Sequence, residues 1–164
     1  MAGQPTILFA SFRAPHDPLR TSWLQFLARL QGVPIGTPPV DRPTGGIWRL
    51  LASNNRELGR SAASYESFAF AREHVHRLRE AAEQLQSAVV AVEDELFGWY
   101  VQDRDGIAMT CVKWYPSAGL ALTAAKSAQS ALANAQVTST VLRATNSGRR
   151  TSRVPAGVEA GEAW

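Results

Sequence analysis

The sequence predicts an α+β fold in which two strand-strand-helix repeats form an antiparallel sheet packed against helices. Three observations predict it. A pattern recurs in the middle of the chain, each copy opens with short apolar runs around a polar turn, and each copy closes with an apolar stripe at helical spacing. The chain has 164 residues, of which 45% are hydrophobic. That is enough apolar material to fill one core of ordinary domain size.

The N-terminal part of the chain divides into two segments. Residues 1–30 form a predicted extension, in which the apolar run Ile7–Phe12 favours a strand. A short amphipathic helix follows over Ser22–Leu30, because its apolar residues fall at positions i, i+3, i+4 and i+7: Trp23, Phe26, Leu27 and Leu30. Residues 31–46 hold four prolines and four glycines. This composition disfavours both helix and central strand, so it predicts a linker.

The two repeats occupy residues 47–86 and 87–137. In each copy a tryptophan (Trp48 or Trp99) stands in a short apolar strand. A polar turn follows, Asn54-Asn55 in the first copy and Asp105-Gly106 in the second. Asp-Gly between apolar runs is a strong hairpin signal, because both residues tolerate positive φ. A second strand, a Tyr-x-Ser triplet and a long helix complete each unit.

The two helices match position for position at an offset of 50 residues. Their apolar stripes follow a strict alternation of three and four residues: Phe68, Ala71, Val75, Leu78, Ala82 and Leu85 in the first, and Ala118, Ala121, Ala125, Ala128, Leu132 and Ala135 in the second. A stripe with that spacing must face a packing partner. Ser67 and Ser117 stand where an N-cap hydroxyl is expected. A further strand is predicted at Ala88–Glu93 between the repeats.

This order of aromatic strand, Asn/Asp-rich turn, small-residue strand ending near Ser61 or Cys111, Tyr-x-Ser and helix resembles the YegP-like family. Its members are small bacterial and archaeal proteins with a domain of unknown function, often in tandem. The resemblance covers about residues 46–136. It implies an α+β fold whose two strand-and-helix repeats are related by pseudo-two-fold symmetry. It implies no reaction, because the family supplies none that could be carried over.

The excess positive charge lies near the C-terminus. Residues 1–142 carry 13 basic and 12 acidic side chains, so the predicted folded part is almost neutral. Residues 138–164 are predicted to be a mostly disordered tail, since Ser, Thr, Gly and Arg dominate it. Four arginines in it could engage phosphates: Arg143, Arg149, Arg150 and Arg153. A dedicated nucleic-acid binder usually has a basic stripe on its folded part, so this reading is an alternative.

Histidine and cysteine suggest no catalytic or metal site. His74 and His76 are two residues apart, which on a helix directs them about 200° from each other, so they cannot share a metal. We expect both to flank the buried stripe. Cys111 lies in an apolar strand where Lys113 is the one neighbour that could lower its pKa, and a small buried side chain is the favoured reading.

The acidic residues suggest turns in preference to an ion site. Glu93, Asp94 and Glu95 are predicted to form a solvated turn between strands, and Asp103 and Asp105 to serve hairpin geometry. The sequence contains no Ser-x-x-Lys, Gly-x-Ser-x-Gly or G-x-G-x-x-G motif and no Gly-rich phosphate loop. We therefore expect no catalytic residues, no metal and no cofactor.

Five aromatic residues lie on or beside the predicted strands: Trp48, Trp99, Tyr100, Trp114 and Tyr115. They are the candidate ligand or partner surface, although core or dimer packing would also explain most of them. The strands are apolar on both faces, so the face opposite the helices should be covered as well. The cover could be the N-terminal segment, a second copy of the chain or a ligand.

The leading interpretation is a non-enzymatic binding or protein-interaction module that forms a homodimer through a sheet face or edge. The alternative is a nucleic-acid-associated protein that uses its arginine-bearing tail together with the sheet aromatics. The apolar runs are too short to span a membrane, and the N-terminus has no signal-peptide pattern. A soluble, cytoplasmic protein with no membrane partner is expected.

Overall fold

The structure is a computed structural model that describes residues 3–12, 17–32, 45–143 and 152–155. It confirms the α+β class. A short 3-10 helix spans Ala82–Gln84, and the main elements in chain order are β1 (Thr6–Ser11), α1 (Pro18–Gln31), β2 (Gly46–Leu51), β3 (Glu57–Ser61), α2 (Phe68–Glu80), β4 (Gln86–Glu93), β5 (Leu96–Asp103), β6 (Gly106–Thr110), α3 (Ala118–Asn134), β7 (Gln136–Arg143) and β8 (Ser152–Pro155).

The strands form one eight-stranded sheet in the order β4-β5-β6-β3-β2-β1-β7-β8. All neighbours are antiparallel except β1 and β7, which run parallel. The prediction of a purely antiparallel sheet is therefore wrong. Its source is the N-terminal strand: β1 pairs with β2 on one side, and on its other side it meets β7, which returns after α3 in the same direction as β1.

The N-terminal segment belongs to the core. The predicted strand is confirmed as β1 and the predicted helix as α1. However, β1 lies inside the sheet, and the side chains of Ile7 and Phe9 are fully buried. Phe9 also makes an edge-to-face contact with Phe68 of α2, with ring centroids 4.9 Å apart. The expectation that residues 1–30 are an accessory extension is therefore wrong.

The main core lies between the sheet and helices α2 and α3. The predicted stripes are buried from their second members onward, as Ala71, Val75 and Leu78 on α2 and their counterparts on α3 show. The first helix is shorter than predicted: α2 ends at Glu80, and the buried Ala82 and Leu85 lie in and just after the 3-10 helix. Phe68 is half-buried and Ala118 is exposed. Both predicted N-caps are confirmed: the hydroxyl of Ser67 accepts from the Phe70 amide at 3.2 Å, and that of Ser117 accepts from the Leu120 amide at 3.1 Å. Each cap contributes about 1 kcal/mol.

Helix α1 covers part of the opposite sheet face. Trp23 and Leu27 pack against Ala10, Phe12 and Ile47, and the indole N–H of Trp23 donates to the Ser61 carbonyl at 2.9 Å. Further along α1, Leu30 lies against Gly98 of β5, and Phe26 stacks on Trp114. Of the three predicted covers for this face (the N-terminal segment, a second copy of the chain or a ligand), the structure shows the N-terminal segment.

Close approach of α1 to β5 depends on a glycine. A Cβ atom at Gly98 would lie 2.6 Å from Leu30 Cδ1 and 2.8 Å from a Trp114 ring carbon. Both contacts are far below van der Waals distance, so any larger residue would push the helix away from the strand.

The first hairpin turn and the connecting strand agree with prediction, and Asn55 has φ of 66°. The second turn is shifted by one residue from the predicted Asp105-Gly106: Arg104 and Asp105 form it, and Gly106, with φ of 133°, begins β6 opposite Asp103. The strand predicted at Ala88–Glu93 is confirmed as β4. Within the described residues, no helix is long and apolar enough to cross a membrane.

The C-terminal segment contributes two strands. Residues 138–143 belong to β7 and residues 152–155 form β8, so the expectation of disorder is wrong for these positions. Strand β7 gains backbone partners on both sides, from β1 and β8, and Val141 is buried. Long-range pairing of this kind outweighs the weak local preference of the segment. The other tail residues, and residues 33–44 of the predicted linker, lie outside the described residues.

Candidate functional site

A chain of polar side chains links β2, the β3–α2 loop, α2 and the β5–β6 hairpin. The indole N–H of Trp48 donates to Tyr65 Oη at 3.1 Å, and Tyr65 Oη lies 2.5 Å from His74 Nδ1. His74 Nε2 lies 3.5 Å from Asp103 Oδ2. The carboxylate near Nε2 favours the proton on that nitrogen, so Nδ1 accepts and the Tyr65 hydroxyl donates to it. Both imidazole nitrogens therefore have protein partners.

Burial controls the ionisation of this chain. It raises the pKa of Tyr65 to about 12, and the nearby Asp103 carboxylate acts in the same direction, although the hydrogen bond from Trp48 opposes both. Tyr65 therefore keeps its proton at neutral pH. A phenol with a raised pKa is a poor base or nucleophile, so its role here is to hold Trp48 and His74 in place.

The outer end of this chain forms one wall of a cleft of about 440 Å³. The cleft lies between the end of α2, the start of β4 and the β5–β6 hairpin. Leu78 and Leu85 supply apolar surface, and polar side chains supply the rest of the lining: His74, Arg77, Gln84, Gln86, Gln102, Asp103, Arg104 and Asp105. A volume of this size is in the range of small-ligand sites.

The second unit lacks the polar chain. Trp99 is fully buried, and its indole N–H has no hydrogen-bond partner among the described residues. Tyr115, which follows the Tyr65 pattern, has its ring beneath the Lys113 ammonium, with 5.3 Å from Nζ to the ring centroid. Where α2 has His74, α3 has Ala124. The polar chain is therefore specific to one half of the molecule.

The five predicted aromatics do not form one exposed surface. Trp48 and Trp99 are fully buried beneath α2 and α3, so the assignment of these two as a ligand or partner surface is wrong. Their strands are apolar on both faces because both faces are covered. Tyr100, Trp114 and Tyr115 are half-buried. Trp114 stacks on Phe26 of α1, with ring centroids 4.2 Å apart, and therefore also serves packing.

Cys111 and the histidines behave as the sequence predicts. Cys111 is fully buried, burial raises its pKa to about 11, and its sulfur accepts a hydrogen bond from the Trp99 amide at 3.3 Å. His74 is half-buried and His76 is exposed, on either side of the buried stripe. Among the described residues there is no group of three or more His, Cys, Asp or Glu side chains that could hold a metal ion.

An ionic cluster lies on the sheet face that carries α1. Glu57 bridges two arginines, with hydrogen bonds of 2.8 Å to both Arg49 and Arg60. Burial alone would raise the pKa of Glu57, but these hydrogen bonds and charges outweigh it and hold the pKa below its ordinary value. The two guanidinium groups are thus engaged within the protein.

Two of the four candidate tail arginines lie in described strands, and the other two do not. Arg143 lies in β7 and Arg153 in β8, where the two strands pair with each other. Arg149 and Arg150 lie outside the described residues. The tail as a phosphate-binding element therefore stays a prediction.

A second feature with functional meaning is the edge strand β4. It is eight residues long, and five of these residues are alanine or valine. It contains no Lys, Arg or Pro, and no described strand pairs with its outer side. At the opposite edge, β8 has four residues and ends at Pro155. Short length and proline are two ways in which proteins block an edge, and β4 has neither.

The backbone direction along β4 follows from its partner. Trp99 directs its N–H and C=O toward the Cys111 side, and Phe97 does so toward Tyr115. Val89 lies opposite Trp99 and Ala91 opposite Phe97. In an antiparallel ladder these are the pairs without mutual hydrogen bonds, so the N–H and C=O groups of Val89 and Ala91 point away from β5. By alternation, Ser87 does the same.

Comparison with protein-family models, with curated proteins and with solved structures gave no significant match. The sequence drew attention to His74 and Asp103 separately, but it did not predict that they meet at one cleft. It also gave no functional role to Tyr65, which was noted as part of the Tyr-x-Ser triplet, or to Arg77. The His74–Asp103 contact spans two repeats, and no local pattern signals it.

Proposed function

We propose that the protein is a non-enzymatic interaction module that forms a homodimer through its β4 edge. The observation that carries this proposal is the contrast between the two sheet edges. β4 offers a long, uncharged edge up to Glu93, whereas β8 is short and ends in proline. A strand of the first kind pairs readily with another strand.

A second copy of the chain fits this edge well. If a two-fold axis passes through Val89, Val89 lies opposite its own equivalent, and Ser87 lies opposite Ala91 of the second copy. Each of the three pairs can exchange two backbone hydrogen bonds, about six in total. In this register Glu93 lies opposite Leu85, so no like charges meet. The result is one sheet that continues through both copies.

Sedimentation velocity over a range of protein concentrations tests the proposal. We expect a monomer–dimer equilibrium, weakened about tenfold or more by Ala91→Lys, because a charge at an exposed edge position opposes strand pairing. Ala133→Lys is the matched control, since it places the same residue at an exposed position on α3. A chain that is monomeric at every concentration would refute the proposal, as would equal dimerisation of both variants.

We infer further that the two units are pseudo-symmetric repeats. Several contacts that recur at an offset of 50 or 51 residues support this. The Trp48 amide donates to Ser61 Oγ at 3.2 Å, as the Trp99 amide does to Cys111 Sγ, and isolated bridges join Gly46 to Tyr65 and Phe97 to Tyr115. In the β3–β6 pair, Arg60 lies opposite Thr110, its own counterpart at an offset of 50, as expected beside a dyad. Strand β1 would then be an insertion between β2 and β7.

The resemblance to the YegP-like family stays a prediction, which the inferred repeats support. The nucleic-acid alternative has less support. Base stacking on the sheet would need exposed aromatics, whereas Trp48 and Trp99 are buried. Arg49 and Arg60, two cations on the sheet itself, are engaged by Glu57.

A further inference from the structure

The cleft beside α2 has an apolar floor and walls that carry both signs of charge. Leu78 is 2% exposed and Leu85 is 7% exposed, so the floor is well packed. Arg77 stands on the α2 wall, while Arg104 and Asp105 stand on the hairpin wall. The two arginines and the two aspartates that line the cleft sum to zero charge.

Some of these charges are already engaged and others are not. Asp103 receives the Asp105 amide on Oδ1 at 2.8 Å and faces His74 with Oδ2. By contrast, Arg77, Arg104 and the Asp105 carboxylate make no ion pair within the part of the chain that the structure describes. These three exposed residues line the cleft, and their charged groups are not engaged in an ion pair with a described residue.

His74 and Tyr65 fix the cleft's shape. Two hydrogen bonds run from Trp48 through Tyr65 to His74. A contact of 3.5 Å between His74 Nε2 and Asp103 Oδ2 then joins α2 to the β5–β6 hairpin, which are the two walls of the cleft. Since both imidazole nitrogens are occupied, His74 is a positioning residue and has no nitrogen left for a ligand. Walls held in this way bind with a smaller ordering cost than free loops would.

We propose that this cleft binds a small zwitterion, namely a free amino acid or a short peptide. The ligand carboxylate would pair with the guanidinium of Arg77, assisted by Arg104, and the ligand ammonium with the carboxylate of Asp105. An apolar side chain would lie on Leu78 and Leu85. A purely anionic ligand such as a nucleotide would gain the arginines but would be repelled by the two aspartates, and a cation would meet the reverse problem.

Isothermal titration calorimetry with L-leucyl-L-leucine as the probe tests this proposal. We expect saturable binding to the full chain, and a loss of about tenfold or more in affinity when the probe is N-acetylated or carries a C-terminal amide. Arg77→Gln and Asp105→Asn should weaken binding to a similar extent. Arg72→Gln is the matched control, because Arg72 is exposed on the same helix but does not line the cleft.

Three results would overturn the proposal: no heat with the dipeptide, binding that Arg77→Gln and Asp105→Asn leave unchanged, or tighter binding of adenosine monophosphate to the same residues. Arg77 and Asp105, the two cleft residues to be substituted, are both exposed, and thermal unfolding of each variant checks that the fold is retained. The Ala91→Lys variant should bind the dipeptide normally, so failure of the dimer proposal and failure of this one can be told apart.

Discussion

Replacing Tyr65 with phenylalanine removes one oxygen atom that serves two partners. Tyr65 Oη accepts from the fully buried Trp48 indole N–H at 3.1 Å and donates to His74 Nδ1 at 2.5 Å. An intramolecular hydrogen bond contributes about 1 kcal/mol net, and a buried donor left without a partner costs about 1–3 kcal/mol. Tyr65→Phe should therefore lower the free energy of unfolding by about 2–4 kcal/mol.

Urea unfolding of the full chain, followed by tryptophan fluorescence at pH 7, measures this loss. Tyr115→Phe is the matched control, since the structure shows no hydrogen bond of the Tyr115 hydroxyl within the described residues; it should cost about 0.5 kcal/mol or less. If the two variants lost equal stability, the hydrogen bonds that join Trp48, Tyr65 and His74 would have no energetic role, and their assignment to holding the cleft wall would be refuted.

Three further predictions follow from single contacts. Gly98→Ala should lower the free energy of unfolding by about 1–3 kcal/mol, because its methyl group would meet Leu30 and Trp114. Gly119→Ala should raise it by about 0.5–1 kcal/mol, because Gly119 is helical and has open space at its Cβ. Equal effects in thermal or urea unfolding would contradict the close packing of α1 on β5. The Cys111 thiol, with its raised pKa of about 11, should react with a thiol reagent at pH 8 only when the chain unfolds; rapid native reaction would contradict its burial. Burial raises the pKa of Tyr65 from 10.0 to about 12, so between these pH values the folded state keeps a proton that the unfolded state loses. The free energy of unfolding should therefore fall as pH rises from 10 to 12. A Tyr65→Phe variant whose free energy of unfolding falls equally steeply over this range would contradict this.

Local patterns in the sequence predicted the helices and turns well. The stripe from Ala71 to Leu78 and its counterpart on α3 have a period that only a buried helix face explains, and Ser67 and Ser117 cap their helices through contacts three residues away. These interactions join near neighbours in the chain. Their outcome depends little on what the rest of the molecule does.

Long-range pairing limited the rest of the prediction. The apolar run of β1 suggested a strand, but its place between β2 and β7 depends on residues about 130 positions away, as in the pair Thr6 and Gln136. The same limit applies to the cleft. His74 and Asp103 were each interpreted from their own surroundings, and only the fold brings them together.

Residue-resolved hydrogen exchange on β4, measured at low and high protein concentration, tests the proposed interface most directly. The amides of Ala88 and Val90 face β5 and should be protected at both concentrations. The amides of Ser87, Val89 and Ala91 point outward, so they should exchange quickly in the monomer and become protected as the dimer forms. Fast exchange of these three amides in a sample that sedimentation shows to be dimeric would contradict the β4 interface.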